Sequence, residues 1–315
     1  MVEAHISKLH QWPLEVAWQQ RQPQLHLSIQ WKMISRFKGS TPMKAFFAFI
    51  FLLVSMPAMA DTVFDKILKT QEIRCGYYVF PPVTYKDSVT GELSGLSVDM
   101  MNAIAEQAGM KIKWTEEITF SNGPEGLNTG KFDVICTPMW PSIALGRVAS
   151  FTKPFMFAPL SPMVRADDVR FKDDDLERLN AEDVIFAGQD ADPITELAKD
   201  NFPKAQLKSY ASMVPGPQIL QDIVTGKADA IILDRNGEIE YNRHNDKKLR
   251  LVDKQNPLKY QSFTLAVKRD ELILRDFLNN ALDELINSGS FSHMLKKWEP
   301  EPNTFIETAK PYQSQ

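Results

Sequence analysis

Gly130-Lys131-Phe132-Asp133-Val134-Ile135 is written a second time in this chain, as Gly226-Lys227-Ala228-Asp229-Ala230-Ile231. Each copy follows a helix-like run, residues 124–129 and 218–225, and opens an apolar stretch too short for a helix. Glycine ends helices with least strain, because its missing Cβ permits the left-handed backbone. A helix–stop–strand unit that returns within one chain predicts two similar α/β lobes rather than one sheet. Small ligands bind where the strands of such lobes end, so a cleft between lobes is the first functional expectation. Alone, Gly-x-x-Asp before a strand is equally a common αβ connection, and the rest of the chain must separate the two.

Met43-Lys44 is followed by an apolar core over 45–54 and then by small residues at Ala58 and Ala60, an A-x-A cleavage pattern. This reads as a secretory signal peptide over 43–60, too short for a permanent anchor. The residue directly after Ala60 is Asp61 rather than a cysteine, so a lipid anchor is not expected and the mature chain is expected to begin at Asp61 as a periplasmic protein. Residues 1–42, polar and without sustained periodicity, read as an upstream extension from a misassigned start, with a genuine extension as the alternative. The whole chain has a formal net charge of −4, and because residues 1–60 hold six Lys or Arg and two Glu, the part after residue 60 carries −8, which argues against a nucleic-acid or anionic-membrane partner.

Downstream, strand-like runs at 72–78, 110–114 and 134–136 alternate with helix-like runs at 98–108 and 124–129, which makes one α/β round. A second round runs through strands at 184–187, 206–210 and 230–233 and helices at 194–201, 218–225 and 236–243. Extended apolar runs at 161–165 and 263–268 would cross between the rounds, and two crossings make a hinge. An amphipathic helix over 271–287 and a last helix over 290–298 complete the pattern. Lobe 1 is expected at 61–164 with 264–315, and lobe 2 at 165–263.

The two cysteines, Cys75 and Cys136, sit in strand-like runs. An oxidising compartment favours a disulfide, and a buried pair of thiols is the alternative. If the first and third strands are neighbours, as in open α/β sheets with a switch point, the pair comes within bridging range of about 7 Å. There is no nucleophile elbow, Walker loop, dinucleotide fingerprint or His-Glu-x-x-His, and His244 and His293 stand in polar helical settings. No cofactor or metal is expected. The acidic run from Asp167 to Asp175 lacks the spacing and glycine of a calcium loop and reads as a solvated segment.

Ile73-Arg74-Cys75-Gly76, Pro81-Pro82, the run from Gly91 to Asp99, Gly130-Lys131-Phe132-Asp133, Phe151-Thr152-Lys153-Pro154-Phe155, Gly226-Lys227-Ala228-Asp229 with Asp234, and Gly289-Ser290-Phe291 with Lys297-Trp298 occur in one order. Together they resemble the bacterial extracytoplasmic solute-binding proteins of family 3, the periplasmic receptors of polar amino-acid ABC transporters, over about residues 70–298. The resemblance implies a two-lobed periplasmic-binding-protein fold of type II, a monomer that closes on a small ligand, an inner-membrane ABC permease as partner, and no catalysis.

It also implies a ligand set. Phe80, with Tyr78 just before it, and Phe120 fall where the family places aromatics around the ligand, and Asp234 occupies the carboxylate position that holds an α-ammonium group. Asp192 and Gln189 line the mouth of lobe 2, although Asp192 and Asp234 each also precede a helix-like run and suit N-caps. The departure is at the carboxylate clamp. The family's arginine position falls on Leu145, and Trp140 and Pro138 replace small or hydroxyl residues. Leucine cannot form a bidentate guanidinium–carboxylate bond. Arg147 replaces it only if the segment is shifted, and Ser142 can donate one hydroxyl.

These departures point to a ligand with a cationic group, held by Asp234 between aromatics. Two rivals remain at this level. One is an enzyme resembling the periplasmic cyclohexadienyl dehydratases, for which Glu116, Glu117 or Glu125 would serve as acid. The other is a receptor for a signalling partner.

Overall fold

The computed structural model describes residues 61–119, 122–172, 174–190, 192–211 and 213–308. All of these belong to one compact unit, Ala60–Gln315. The extension 1–42, the signal segment 43–60 with its cleavage point, and Phe120 lie outside the described residues.

Chain order begins with α1 (Val63–Thr70), β1 (Glu72–Tyr77), the hairpin β2 (Tyr85–Lys86) and β3 (Leu93–Ser94), α2 (Leu96–Gln107), β4 (Lys111–Glu117), α3 (Gly123–Asn128), β5 (Val134–Met139) and β6 (Ala149–Phe151). The crossing strand β7 (Met156–Arg165) leads to α4 (Leu176–Leu179), β8 (Ile185–Gln189), α5 (Pro193–Asn201), β9 (Gln206–Tyr210), α6 (Gly216–Val224), β10 (Ala230–Asp234), α7 (Arg235–His244) and β11 (Leu249–Leu251). The chain returns through β12 (Lys259–Lys268) and ends with α8 (Leu272–Asn287), α9 (Ser290–Trp298) and β13 (Ile306–Glu307).

Local chemistry sets these elements. Thr62 and Asp65 form a reciprocal capping box at α1, satisfying N–H groups that the first turn leaves open. In α8, Leu274, Leu278, Leu282 and Leu285 recur at helical spacing and are all buried. Gly130 and Gly226 have φ of 72° and 75°, the left-handed conformation that ends α3 and α6 before each repeated strand.

The strands join in the order β4-β1-β5-β12-β7-β10-β8-β9. In lobe 1 the first strand lies parallel between the second and third, and in lobe 2 β8 likewise lies between β9 and β10. Each sheet is covered on both faces, which is why its strands read as continuous apolar runs. Val134 and Cys136 pack with α2, α8 and α9 on one face, while Ile135 packs with Leu127 of α3 and Phe132 on the other. In lobe 2, Ala230 and Ile232 face one cluster and Ile231 and Leu233 the other.

The hinge is an antiparallel pair, β7 with β12, in register from Met156↔Phe263 to Leu160↔Lys259. From Leu160 onward β7 pairs with β10, and from Thr264 onward β12 pairs with β5. Each crossing strand is thus one continuous rod shared by two lobes. This is the two-lobed α/β fold that the repeated units imply. A disulfide joins Cys75 and Cys136, whose Cα atoms are 5.4 Å apart on the adjacent strands β1 and β5.

Candidate ligand site between the lobes

The lobe-1 wall is built where β1 ends. Phe80 and Thr84 exchange backbone hydrogen bonds of 2.9 Å each way, closing a tight turn around the cis Pro81–Pro82 bond. The turn holds the half-buried Phe80 ring edge-on to Phe263, with centroids 6.1 Å apart and planes at 80°. Phe263 stacks in turn on Trp140, 6.3 Å away at 16°. Phe80, Phe263 and Trp140 therefore form one aromatic bank between the hinge and the end of β5.

Tyr78 stands behind this bank. It is buried, its hydroxyl donates to the Pro138 carbonyl, and burial raises its pKa well above the usual phenol value. Its role in the structure is to fix the segment that carries Trp140. Ser142 Oγ accepts from the Leu145 N–H at 3.2 Å and so starts the short 3₁₀ turn Leu145–Arg147. On that turn Leu145 packs against the apolar cluster of lobe 1 that includes Tyr78 and Phe132. Arg147 is exposed, and among the described residues its guanidinium makes no hydrogen bond or ion pair.

The lobe-2 wall is built from helix starts. Asp192 caps α5 by accepting from the Ile194 N–H at 3.0 Å. Burial raises its pKa, against the pull of that N–H and of Lys259. Gln189 donates to the Val214 carbonyl at 2.7 Å. Asp234 ends β10 and caps α7, accepting from Gly237 N–H at 2.8 Å. It is 6 % exposed, and burial pushes its carboxyl up to about 6, with only backbone N–H groups pulling the other way. Leu160 is the sheet neighbour of both Asp234 and Lys259, which places the two aspartates' surroundings at the hinge crossing.

The walls touch through a residue that the sequence reading missed. Asn236 Nδ2 donates to the Pro81 carbonyl at 2.9 Å, joining the start of α7 to the Phe80–Thr84 turn. Arg235 reaches Glu301 on the C-terminal segment next to it. The structure thus brings Phe80, Trp140 and Asp234 to one inter-lobe zone and adds Phe263 and Asn236. Phe263 was visible only as part of an extended run. Asn236 carried no signal beyond being a polar residue two places after Asp234.

Other candidates for chemistry lie elsewhere. Glu116 and Glu117 are tied to Lys131 and Lys86 at the edge of lobe 1, and Glu125 is exposed on α3. A cavity of about 640 Å³ opens at the amino ends of the lobe-1 strands, beside Lys66, Arg74 and Lys268, and shares no residue with the inter-lobe zone. Among the described residues, no helix is long and apolar enough to cross a membrane.

Two α/β lobes joined by a paired antiparallel hinge have the architecture of two-lobed solute-binding proteins. The model of the bacterial extracellular solute-binding proteins, family 3, matches residues 73–301, and the chain belongs to that family. Among similar proteins, a probable amino-acid-binding protein of Bacillus subtilis, YxeM, is 28% identical over 71% of this chain and 81% of its own length. A probable amino-acid ABC transporter-binding protein of Haemophilus influenzae is 25% identical over 76% of this chain and 89% of its own. The solved ancestral amino acid-binding protein AncCDT-1, described as a precursor of cyclohexadienyl dehydratase, shares the fold with a TM-score of 0.63 at 24% identity, covering 76% of this chain and 99% of that one.

Proposed function

We propose that this protein captures a small amino-acid-like ligand bearing a cationic group and delivers it to an ABC importer, doing no chemistry itself. The observation that carries this is Asp234, a buried carboxyl at a strand end whose bonds, among the described residues, are to backbone N–H groups and not to a lysine or arginine. Ionising such a group costs roughly 3 kcal/mol relative to water, a penalty that an incoming cation offsets. Phe80 and Trp140 supply apolar faces for the rest of the ligand and a negative π-surface for its charge. Delivery to a permease is supported by the relatives named for amino-acid binding and ABC transport. In this reading the lobes divide at about 165–263, and the secreted monomer begins at Asp61 after signal cleavage.

Phe120 and Asp192 complete the proposed ligand set, with Ser142 near the place of the missing clamp arginine. Leu145 faces the lobe core, so the carboxylate end of an amino acid is held by weaker donors than in a clamped site. Thermal shift with L-lysine, L-arginine, ornithine, putrescine and L-glutamate tests the reading. A ligand at 100 times its Kd adds about 2.7 kcal/mol of stability. Cationic compounds should shift the melting temperature, glutamate should not, and Asp234→Asn should weaken binding tenfold or more. Arg147→Ala should change affinity no more than about threefold, as expected of a largely solvated charge. Tight glutamate binding lost in Arg147→Ala would make Arg147 the clamp and overturn the cationic reading.

A further inference from the structure

The chain beyond α9 ties together parts of the molecule that are far apart in sequence. The family's model ends at residue 301, and the chain continues past it. Phe305 is buried in the lobe-1 core, and its ring lies 5.9 Å from that of Phe263, the centre of the aromatic bank. Ile306 and Glu307 form β13, the antiparallel partner of Phe157 and Met156 in the crossing strand β7. Ser292 of α9 donates to the Glu307 carboxylate and fixes the end of that strand. The turn before Phe305 is held as firmly. Thr304 is buried, and its N–H and Oγ1 donate to the Glu301 carbonyl at 3.2 and 2.7 Å. The backbone N–H groups of Asn303, Thr304 and Phe305 gather on the Glu299 carboxylate.

From this lobe-1 anchorage Glu301 reaches lobe 2. Its carboxylate accepts from Nη2 of Arg235 at 2.5 Å, and Arg235 is the first residue of α7, next to Asp234. The rest of α7 also meets lobe 1. Asn236 donates to the Pro81 carbonyl, and further along the helix Glu240 and Arg243 stand beside the Tyr85 hydroxyl of the β2–β3 hairpin. Tyr85 packs in turn on Trp298, where the C-terminal segment starts, with centroids 6.0 Å apart. Two of these contacts fall on covalent neighbours of the proposed ligand groups, since Pro81 follows Phe80 and Arg235 follows Asp234. A rotation about the hinge that draws Asp234 away from Phe80 therefore pulls on both.

We propose that residues 299–307 are an inter-lobe strap: anchored in lobe 1 and on β7, they hold the start of α7 through Glu301 and favour the arrangement in which α7 rests on the Phe80–Thr84 turn. Ligand affinity then depends on residues that do not touch the ligand, because the apparent Kd rises as the fraction of binding-competent protein falls. The strap rests on the two-lobed binding reading of the cleft, and not on the charge of the ligand.

Energy transfer between dyes on Ile143→Cys in lobe 1 and Met213→Cys in lobe 2 tests it in the full chain. Both positions are exposed, and the native cysteines are joined to each other, so only the introduced thiols take label. Without added ligand, Arg235→Gln and Glu301→Gln should each lower the transfer, and the exchange Arg235→Glu with Glu301→Arg should restore it. Titration with L-lysine supplies a second readout of opposite sign to simple electrostatics. Arg235→Gln removes a positive charge beside Asp234, which by charge alone would tighten binding of a cation. Loss of the strap should instead weaken it about threefold, within the range of a solvent-exposed ion pair. Unchanged or higher transfer in both variants, a loss that the exchange does not restore, or tighter lysine binding by Arg235→Gln overturns the proposal. Should lysine bind to none of these proteins, the cationic reading falls, and the transfer measured without ligand still decides the strap.

Discussion

The two copies of the repeated unit do the same structural work and then diverge at their tips. In lobe 1, Asp133 accepts from the Arg74 backbone N–H at 3.0 Å, and its own N–H donates to the Arg74 carbonyl at 2.8 Å. In lobe 2, Asp229 exchanges the same two bonds with Ile185, at 2.9 and 2.7 Å. Each aspartate thus ties the third strand of its lobe to the first.

The counter-charge differs. Arg74 supplies it from the first strand itself, through Nε and Nη2 at 3.1 and 2.6 Å. Ile185 cannot, so lobe 2 brings Arg170 in from the turn after the crossing strand, where it is also held by Asp168. Beyond the shared core, the lobe-1 strand runs on into Trp140 and the lobe-2 strand ends in Asp234. One repeat ends in an aromatic face and the other in a carboxyl. Two similar scaffolds that present unlike groups can grip two ends of an unsymmetrical ligand, which two identical lobes could not.

The largest expected difference between the lobes comes from the disulfide, which belongs to lobe 1 alone. Its ends are 61 residues apart, and closing a loop of that size stabilises by about 4 kcal/mol in the chain-entropy model. Cys75→Ala with Cys136→Ala should lower the denaturation midpoint, with protease cleavage appearing first in lobe 1. Equal loss of protection in both lobes would show that they unfold as one unit.

A smaller effect separates the paired aspartates. Asp133→Ala strips Arg74 of its carboxylate and orphans a backbone N–H, and about 3 kcal/mol is expected from urea unfolding. Asp229→Ala leaves Arg170 with Asp168, and about 2 kcal/mol is expected. The reverse order would mean that the Arg170 cluster depends on Asp229 more than on Asp168.

The smallest effect on stability, though the most direct on binding, is at the tips. Burial holds the Asp234 carboxyl at about 6, above its ordinary value of 3.8. Its penalty is therefore absent below about pH 4 and complete above about pH 6, so this group lets the unliganded protein gain stability as pH falls through that window. A cationic ligand requires the ionised form. Its affinity should fall below pH 6, by up to tenfold per unit, and Asp234→Asn should flatten the profile. An affinity that stays level from pH 5 to 8 in the unaltered protein would remove Asp234 from the site.

Much of this was legible in the residues because it depends on local chemistry. Gly130 and Gly226 announce helix ends, the apolar runs after them announce buried strands, and Asp234 announces itself by its place in the second repeat. Asp192 and Asp234 show the limit of that reading. Both are N-caps, and a cap and a ligand carboxylate look the same in sequence; the deep burial of Asp234 and, among the described residues, its lack of a cationic partner are what support proposing it as the ligand carboxylate. Leu145 reads as a lost arginine, whereas the fold shows it serving the lobe-1 core. Tyr78 reads as a ligand aromatic, whereas its hydroxyl is spent on the Pro138 carbonyl.

What the sequence by itself determined is the pair of α/β lobes, their double crossing and the family, since periodicity, helix stops and motif order depend on neighbours along the chain. What only the tertiary structure decided is which residues meet across the cleft. Phe263 became the centre of an aromatic bank because β12 is shared by both lobes, and Asn236 became the inter-lobe contact because α7 begins opposite the Phe80–Thr84 turn. Those meetings join residues separated by more than a hundred positions. Their distance and direction are set by how the two sheets pack on one hinge, and no local pattern records that.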